Sequence, residues 1–447
     1  MKESYPKKVV IIDDDPTGSQ TISNLPVLLE WPAALLEREF REPEAGFFIL
    51  TNSRSMPGEE AAAVNREVGE NLARASRMTG KDFIVISRSD STLRGHYPAE
   101  TEALKSALKN ALGHVYQCDV IMPFFGEGGR YTRDDIHWVA RQGQWIPVGE
   151  TEFARDPVFG YQSSNLREWV AEKTGLDPAT VRSISLDDLR YGGPEWVYAI
   201  LTQDTSTPVI VNAVTYDDVE TFMQGSLQAE ENGYRFMYRT AASFVAVRTG
   251  AASKKLLTTR DIYQEKTSPE AHGGLVIAGS YVNLTTQQLE KAQELERVRG
   301  IEADVNQLVE PLEARDYIKE ISRRAAAVIG AGKTAVIYTT REYIRAESLA
   351  GNLQQGTAIA DSMAEIAAHV GVKPRFVLAK GGITSHVLAT RAFRITRARV
   401  LGQVYPGVSV WEPDRSSALY GIPYLVFPGN VGDADTLKEV LKIMEVV

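Results

Sequence analysis

Short apolar runs recur along this chain, and each stops at a cluster of polar or small residues. The run 9–12 stops at Asp13-Asp14-Asp15, the run 47–50 at Thr51-Asn52-Ser53-Arg54-Ser55, and the run 83–86 at Ser87-Arg88-Ser89-Asp90. Four apolar residues are too few for a helix and enough for a buried strand. Further strands are expected at 120–122 and 209–211. Helical spacing of apolar positions fills about 58–77, 97–112 and a stretch from about 217. Continuous apolar strands alternating with amphipathic helices predict parallel βαβ units.

A second alternating series opens at 275–278. It continues with helices over about 285–297 and 314–328, a strand at 335–338 and a helix over about 358–370. Strands at 376–379, 408–410 and 424–427 follow, then a last helix from about 435. Between the two series, 258–274 lacks an apolar strand, carries Pro269 and Gly273-Gly274, and reads as a linker. The expected fold is α/β: two three-layer domains with largely parallel sheets, 1–257 and 275–447, and an interdomain cleft. A length of 447 residues agrees with more than one core.

Composition narrows the partners. Hydrophobic residues at 43% and charged ones at 24% are ordinary for a globular protein. A net charge of −9 argues against nucleic acid or an anionic membrane as partner, so an anionic substrate needs a local basic site. The single cysteine, Cys118, allows no internal disulfide, is expected to be buried, and fits a cytoplasmic protein. The start of the chain does not read as a signal peptide, and no apolar run approaches the roughly 18 residues of a membrane span. A homo-oligomer is left open.

The chemistry gathers at the strand ends, where open α/β sheets bind ligands. Asp90, Ser91, Thr92 and Arg94 follow one strand together. An acid, two hydroxyls and an arginine suit a polyhydroxylated carboxylic acid: Arg94 holds a carboxylate in a bidentate pair, and Asp90 accepts from hydroxyls. Three adjacent carboxylates at 13–15 would recognise hydroxyls, act as base or bind magnesium, or form a turn in which one aspartate caps the next helix. Arg54 reads equally as a carboxylate partner or as part of a polar loop. The glycine-rich 126–133, with Arg130, suggests a mobile substrate loop; His137 after it is a candidate base or a packed residue. In the second half, Gly279-Ser280, Lys380-Gly381-Gly382-Ile383-Thr384 and Gly429-Asn430-Val431-Gly432 each follow a strand, where free backbone N–H groups favour phosphate. Gly332-Lys333-Thr334 mimics the end of a Walker A loop, but its first glycine position is Ala327 and a strand follows.

Several of these segments together resemble the four-carbon acid sugar kinase family: Asp14-Asp15-Pro16-Thr17-Gly18, Asp90-Ser91-Thr92-Leu93-Arg94-Gly95, Pro123 to Arg130, Asp135-Ile136-His137, and the three glycine turns. The resemblance spans nearly the whole chain in one order. It implies an ATP-dependent kinase, with magnesium, that phosphorylates the terminal hydroxyl of a small sugar acid. It implies a sugar-binding first domain and a nucleotide-binding second one. Asp13, Asp14, Asp90 and Arg94 are then the candidate catalytic residues. Asp15, Arg54, Ser91, Thr92, Gly126 and Arg130 are the candidate substrate contacts. Ser280, Gly382, Thr384, Gly429, Asn430 and Gly432 would bind ATP; the metal ligands are left unassigned. The chain departs from the commoner pattern at Asp13, Pro16, Arg88-Ser89 and Ile383, which leaves threonate, erythronate, their 3-oxo forms and a branched relative open. Two other classes remain: a magnesium-dependent phosphatase of the haloacid dehalogenase type, with Asp13 as nucleophile, Thr51 as second motif and Asp433 and Asp435 as late acids; and a non-catalytic sugar-acid sensor.

Overall fold

The computed structural model describes residues 7–141, 143–251, 255–263, 272–279, 283–309, 314–340, 349–429 and 431–445. Eleven strands precede residue 252: β1 (Lys8–Asp13), β2 (Pro26–Leu28), β3 (Gly46–Leu50), β4 (Phe83–Arg88), β5 (Cys118–Met122), β6 (Arg130–Arg133), β7 (Ile136–Arg141), β8 (Gln144–Pro147), β9 (Arg182–Ile184), β10 (Val209–Val211) and β11 (Phe236–Thr240). Seven more follow: β12 (Leu275–Ala278), β13 (Val298–Ala303), β14 (Thr334–Thr339), β15 (Val377–Lys380), β16 (Arg397–Tyr405), β17 (Val408–Pro413) and β18 (Tyr424–Phe427). The chain divides into two compact units, 1–18 with 30–252, and 19–29 with 253–447.

The first unit is built on a parallel sheet in the order β3-β1-β4-β11-β5-β10-β9. Its strands are mostly apolar and almost wholly buried, as a parallel sheet covered on both faces requires. The helices Gly58–Thr79 and Ala99–Leu112 pack on one another and end at Gly80 and Gly113, both left-handed. The connections leave β1 toward β3 on one side and β4 on the other, a reversal that opens a crevice at the carboxyl ends. The register sets Asp13 level with Arg88, and Arg88 level with Thr240. The segment read as a glycine-rich mobile loop is instead a turn at 126–129 leading into β6, part of the antiparallel sheet β6-β7-β8. The backbone of β6 is held by that pairing, and Tyr131 on it stacks on Trp145 of β8 at 4.8 Å.

The second unit has the order β13-β14-β12-β15-β18-β17-β16-β2, parallel through β18 and antiparallel after it. Its direction of winding reverses at β12 and β15. Two boundaries differ from the sequence reading. Residues 19–29 join this unit, because β2 pairs with β16 and buries Leu25, Val27 and Leu28. Part of the expected linker is helical, Thr259–Tyr263, with Ile262 buried in the second core; residues 264–271 lie outside the described residues. No helix among the described residues is long and apolar enough to cross a membrane.

Candidate functional site

Ion pairing decides what each acid of the first unit can do. Arg54 binds Asp14 through both ends of its fork, with Nε donating to Oδ2 at 3.2 Å, and it also donates from Nη1 to Asp15 Oδ2 at 3.2 Å. The Arg54 guanidinium is thus occupied by two aspartates rather than held open. Asp15 Oδ1 accepts from the backbone and hydroxyl of Thr17. Burial works against the Asp15 charge, but Arg54 and the Thr17 bonds outweigh it and hold the carboxyl below its usual range. For Asp14 burial wins over Arg54, and its proton affinity is raised.

Asp13 differs from both. Its Oδ1 accepts from Arg88 Nη1 at 3.0 Å and from the Asp15 backbone at 3.2 Å, while Oδ2 takes no hydrogen bond among the described residues. Burial pushes its pKa up to about 7; Arg88 opposes the shift, and the neighbouring Asp14 and Asp15 add to it. Only glycine fits beside this carboxylate, since a Cβ on Gly18 would fall on Asp13 Oδ2.

The loop after β4 carries the second acid. Asp90 Oδ2 accepts from Arg94 Nε at 2.7 Å and from the Thr92 hydroxyl, and Oδ1 is left open among the described residues. Burial opposes its charge, but Arg54, Arg94 and these bonds together hold the carboxyl far below its usual range. His137 supports the loop from β7. It is fully buried, with Nε2 on the Ser91 carbonyl at 2.7 Å and Nδ1 on Thr132 Oγ1 at 2.9 Å. With both ring nitrogens engaged in the interior it is a packed residue, and burial holds its pKa down at about 4. At Gly95, φ is +125° and a Cβ would stand 2.7 Å from Arg239 Nη2 and 3.0 Å from Asp14 Oδ2, so glycine is required. Arg239 is itself paired with Glu100 at 3.1 Å, and both side chains are buried.

Arginines gather around Phe153. Arg94, Arg130 and Arg141 stand over its ring with guanidinium carbons 5.1, 5.7 and 5.4 Å from the centroid. Arg94 pairs with Asp90 and with Asp156 at 3.6 Å, and Arg141 pairs with Glu152. Arg130 makes no side-chain hydrogen bond among the described residues, and its buried Nε has no partner. Burial lowers its proton affinity, Asp90 partly compensates, and Arg141 and Arg94 add to the lowering. Sequence reasoning found Arg130 and missed Phe153 and Arg141, for which no local motif exists. Gly126 lies against Phe124 and Tyr216, and its N–H donates to Ser243 Oγ at 3.2 Å.

The second unit presents small residues at its strand ends. A Cβ on Gly279 would lie 2.6 Å from Thr384 Oγ1, and one on Gly432 (φ +80°) 2.2 Å from Thr436 Oγ1. Gly382 opens the short helix Gly382–Val387, and Gly429 accepts a long 3.4 Å bond from Thr285 Oγ1 at its carbonyl. Ser280 and Asn430 lie outside the described residues. The strand β15 runs one residue further than expected, which makes Lys380 a strand residue, fully buried.

The phosphatase reading fares poorly. Asp433 and Asp435 belong to the unit that does not contain Asp13, and Asp433 Oδ1 accepts from Asp435 N–H at 3.1 Å and Thr436 Oγ1 at 3.0 Å as the cap of the helix Thr436–Glu445. Thr51 is engaged with the Asp13 carbonyl at 3.0 Å. Among the described residues no three acids, histidines or cysteines converge on a point that would hold a metal ion. Cys118 is buried as expected, and burial raises its pKa to about 12.

Known proteins are similar to this chain in sequence and in fold. A D-threonate kinase of Salmonella typhimurium is 23% identical over 338 residues, 75% of this chain and 72% of its own. A D-erythronate kinase of Heliobacterium modesticaldum is 24% identical over 449 residues, 96% of this chain and 94% of its own. Solved structures share the fold: one from Salmonella typhimurium LT2 has a TM-score of 0.70 at 17% identity, covering 97% of this chain and 98% of its own. Another, a Haemophilus influenzae protein of the DUF1537 family, reaches 0.67 at 18%, covering 97% and 100%. Residues 9–248 match the sugar-binding N-terminal domain and residues 275–437 the nucleotide-binding C-terminal domain, so the chain belongs to the four-carbon acid sugar kinase family.

Proposed function

We propose that this protein is an ATP-dependent kinase of a four-carbon sugar acid, such as threonate, erythronate or a 3-oxo relative, acting on the terminal hydroxyl. One observation carries the reading: two buried carboxylates at neighbouring strand ends each keep one open oxygen, and their surroundings push their proton affinities in opposite directions. Such a divided pair assigns the acid–base roles. Asp13, poised near neutrality, takes the proton from the attacking hydroxyl as the hydroxyl oxygen bonds to the γ-phosphorus and the bond from that phosphorus to the bridging oxygen breaks, releasing ADP. Asp90, permanently ionised, accepts from the other hydroxyls. Asp14, Asp15, Ser91 and Thr92 shape the hydroxyl pocket, with Gly126 at its rim.

Arg130 is the partner proposed for the substrate carboxylate, since its guanidinium stands over the same Phe153 ring as Arg94 and makes no side-chain hydrogen bond among the described residues. Arg94, tied to Asp90, positions that acid and adds positive charge. The nucleotide is assigned to the second unit, at Ser280, Gly382, Thr384, Gly429, Asn430 and Gly432. The described residues build no cage of acids, so magnesium is taken to arrive on the phosphates as part of the nucleotide substrate, where it neutralises charge developing in transfer.

Purified protein with magnesium and ATP, offered a panel of four-carbon sugar acids, should release ADP with one of them and not without an acid. Hydrolysis of a generic phosphate ester in the absence of ATP would replace this reading with the phosphatase. Binding of an acid with no ADP release would leave the sensor.

A further inference from the structure

Lys380 is the last residue of a hydrophobic stripe. Side chains alternate along β15, so Phe376, Leu378 and Lys380 share one face. The register sets Lys380 beside Ala278 of β12 and Phe427 of β18. That face holds the second core, with Val276, Leu425, Leu289 and Leu437. The residue is 0% exposed. Its ammonium has three N–H groups. Among the described residues it makes one polar contact, with the Pro428 carbonyl at 3.3 Å, and it stands 3.8 Å over the Phe427 ring.

This is an unusual state for a buried cation. Arg88, Arg239 and Arg248 are also buried, and each has a carboxylate: Asp13, Glu100 and Glu230. Burying a charge without such a partner is costly, and the group tends to give up its proton instead. Burial alone lowers the Lys380 pKa to about 7. The titratable and charged groups on the elements around it are His386 on Gly382–Val387, Glu290 and Lys291 on Asn283–Gln293, Asp433 and Asp435 in the following turn, and Lys438, Glu439, Lys442 and Glu445 on Thr436–Glu445; those on Thr259–Tyr263 are Arg260, Asp261 and Tyr263. None of them forms an ion pair with Lys380 or offsets its burial.

Its position gives the missing anion a source. The winding of the sheet reverses at β12 and β15, and ligands of open α/β sheets bind outside such a point. Gly279, Gly381 and Gly429 follow the strands on either side, and Thr384 Oγ1 lies just above Gly279. We propose that Lys380 contacts the phosphate chain of the nucleotide, and that the nucleotide binds together with one proton taken up from solvent by the Lys380 amine. The inference rests on the nucleotide-binding role assigned to this unit, and it adds a phosphate ligand that the glycine turns do not include. Above about pH 7 the free amine is mostly neutral, so uptake approaches one proton per nucleotide; below it the amine is already charged and uptake fades.

Calorimetric titration of the full-length protein with magnesium–ADP near pH 8, in buffers of different ionisation enthalpy, counts the protons. The wild type should take up close to one. Lys380→Met keeps the apolar stem and should bind ADP roughly ten- to a hundredfold more weakly with no uptake. Lys380→Arg, charged at every accessible pH, should also show no uptake. Thermal melting of both variants checks that they fold. ADP binding by the wild type without proton uptake would overturn the inference and leave the kinase reading standing, as would uptake that persists in a folded Lys380→Met. A wild type that binds no adenine nucleotide would overturn both.

Discussion

The strand ends of the two units carry opposite kinds of preparation. In the first unit nearly every buried charge already has its counter-charge: Asp14 and Asp15 have Arg54, Asp13 has Arg88, Asp90 has Arg94, and Glu100 has Arg239. Among the described residues these acids leave two carboxylate oxygens open, Asp13 Oδ2 and Asp90 Oδ1, and the Arg130 side chain makes no hydrogen bond. In the second unit the ends of β12, β15 and β18 carry glycines and hydroxyls, and Lys380, buried at the end of β15, has no acid beside it among the described residues. Recognising neutral hydroxyls needs acceptors fixed in place, and a fixed acceptor must be neutralised locally to be buried at all. Recognising a polyanion needs donors and positive charge, which backbone N–H groups and a Lys380 that gains its proton on binding would supply in the reading proposed above.

Breaking the first pattern at its reactive atom should have the largest effect. Asp13→Asn removes the proton acceptor and should lower kcat roughly 10²–10⁴-fold in steady-state assays, with ADP affinity unchanged. Breaking it at a purely internal pair should act on stability instead. Arg239→Met strands the buried Glu100 and should cost about 3–5 kcal/mol in a denaturation series. Arg130→Gln should raise KM for the acid about ten- to a hundredfold with a smaller change in kcat, as the loss of one charge-assisted contact predicts. The pH profile sharpens the contrast within the first unit. The ionised form of Asp13 is the base, so kcat/KM should fall as pH drops through about 7 and level off above it, whereas Asp90 stays ionised throughout. At the other end of the scale, Ile383 is half exposed between the second unit's glycines and Thr384. Ile383→Ala should shift stability by no more than about 0.5 kcal/mol, since no named destabilising mechanism applies there.

Legibility in the sequence followed the range of the interactions. The strands β1, β4, β12 and β18 stand out because each is buried on both faces and reads as an unbroken apolar run. The sheet β6-β7-β8 was hidden: it mixes Arg130, Tyr131, Thr132 and His137 in a pattern that no single period captures. The helix Gly193–Leu201, for which no expectation was set, starts at a glycine and a proline, and proline suits a first helical turn. At the site, the acids and Arg94 could be found because they cluster in sequence. Their partners Arg88, Glu100 and Arg239 could not, because sheet order rather than spacing brings them together. Lys380 stood within a recognised motif, but only the register of β15 shows that it is buried without an acid.

The strand β2 has a consequence in time. Arg399 donates to the carbonyl of Asn24 from 375 residues away, and β2 pairs with the same strand, β16. At roughly 5–20 residues per second of synthesis, the first-made segment waits about 20–75 s for its partner to leave the ribosome. Throughout that interval it lacks its β16 partner. When β16 does emerge, it pairs with a peptide made 375 residues earlier. The second unit therefore completes its sheet across a separation of 375 residues, and only after every strand of the first unit has been made.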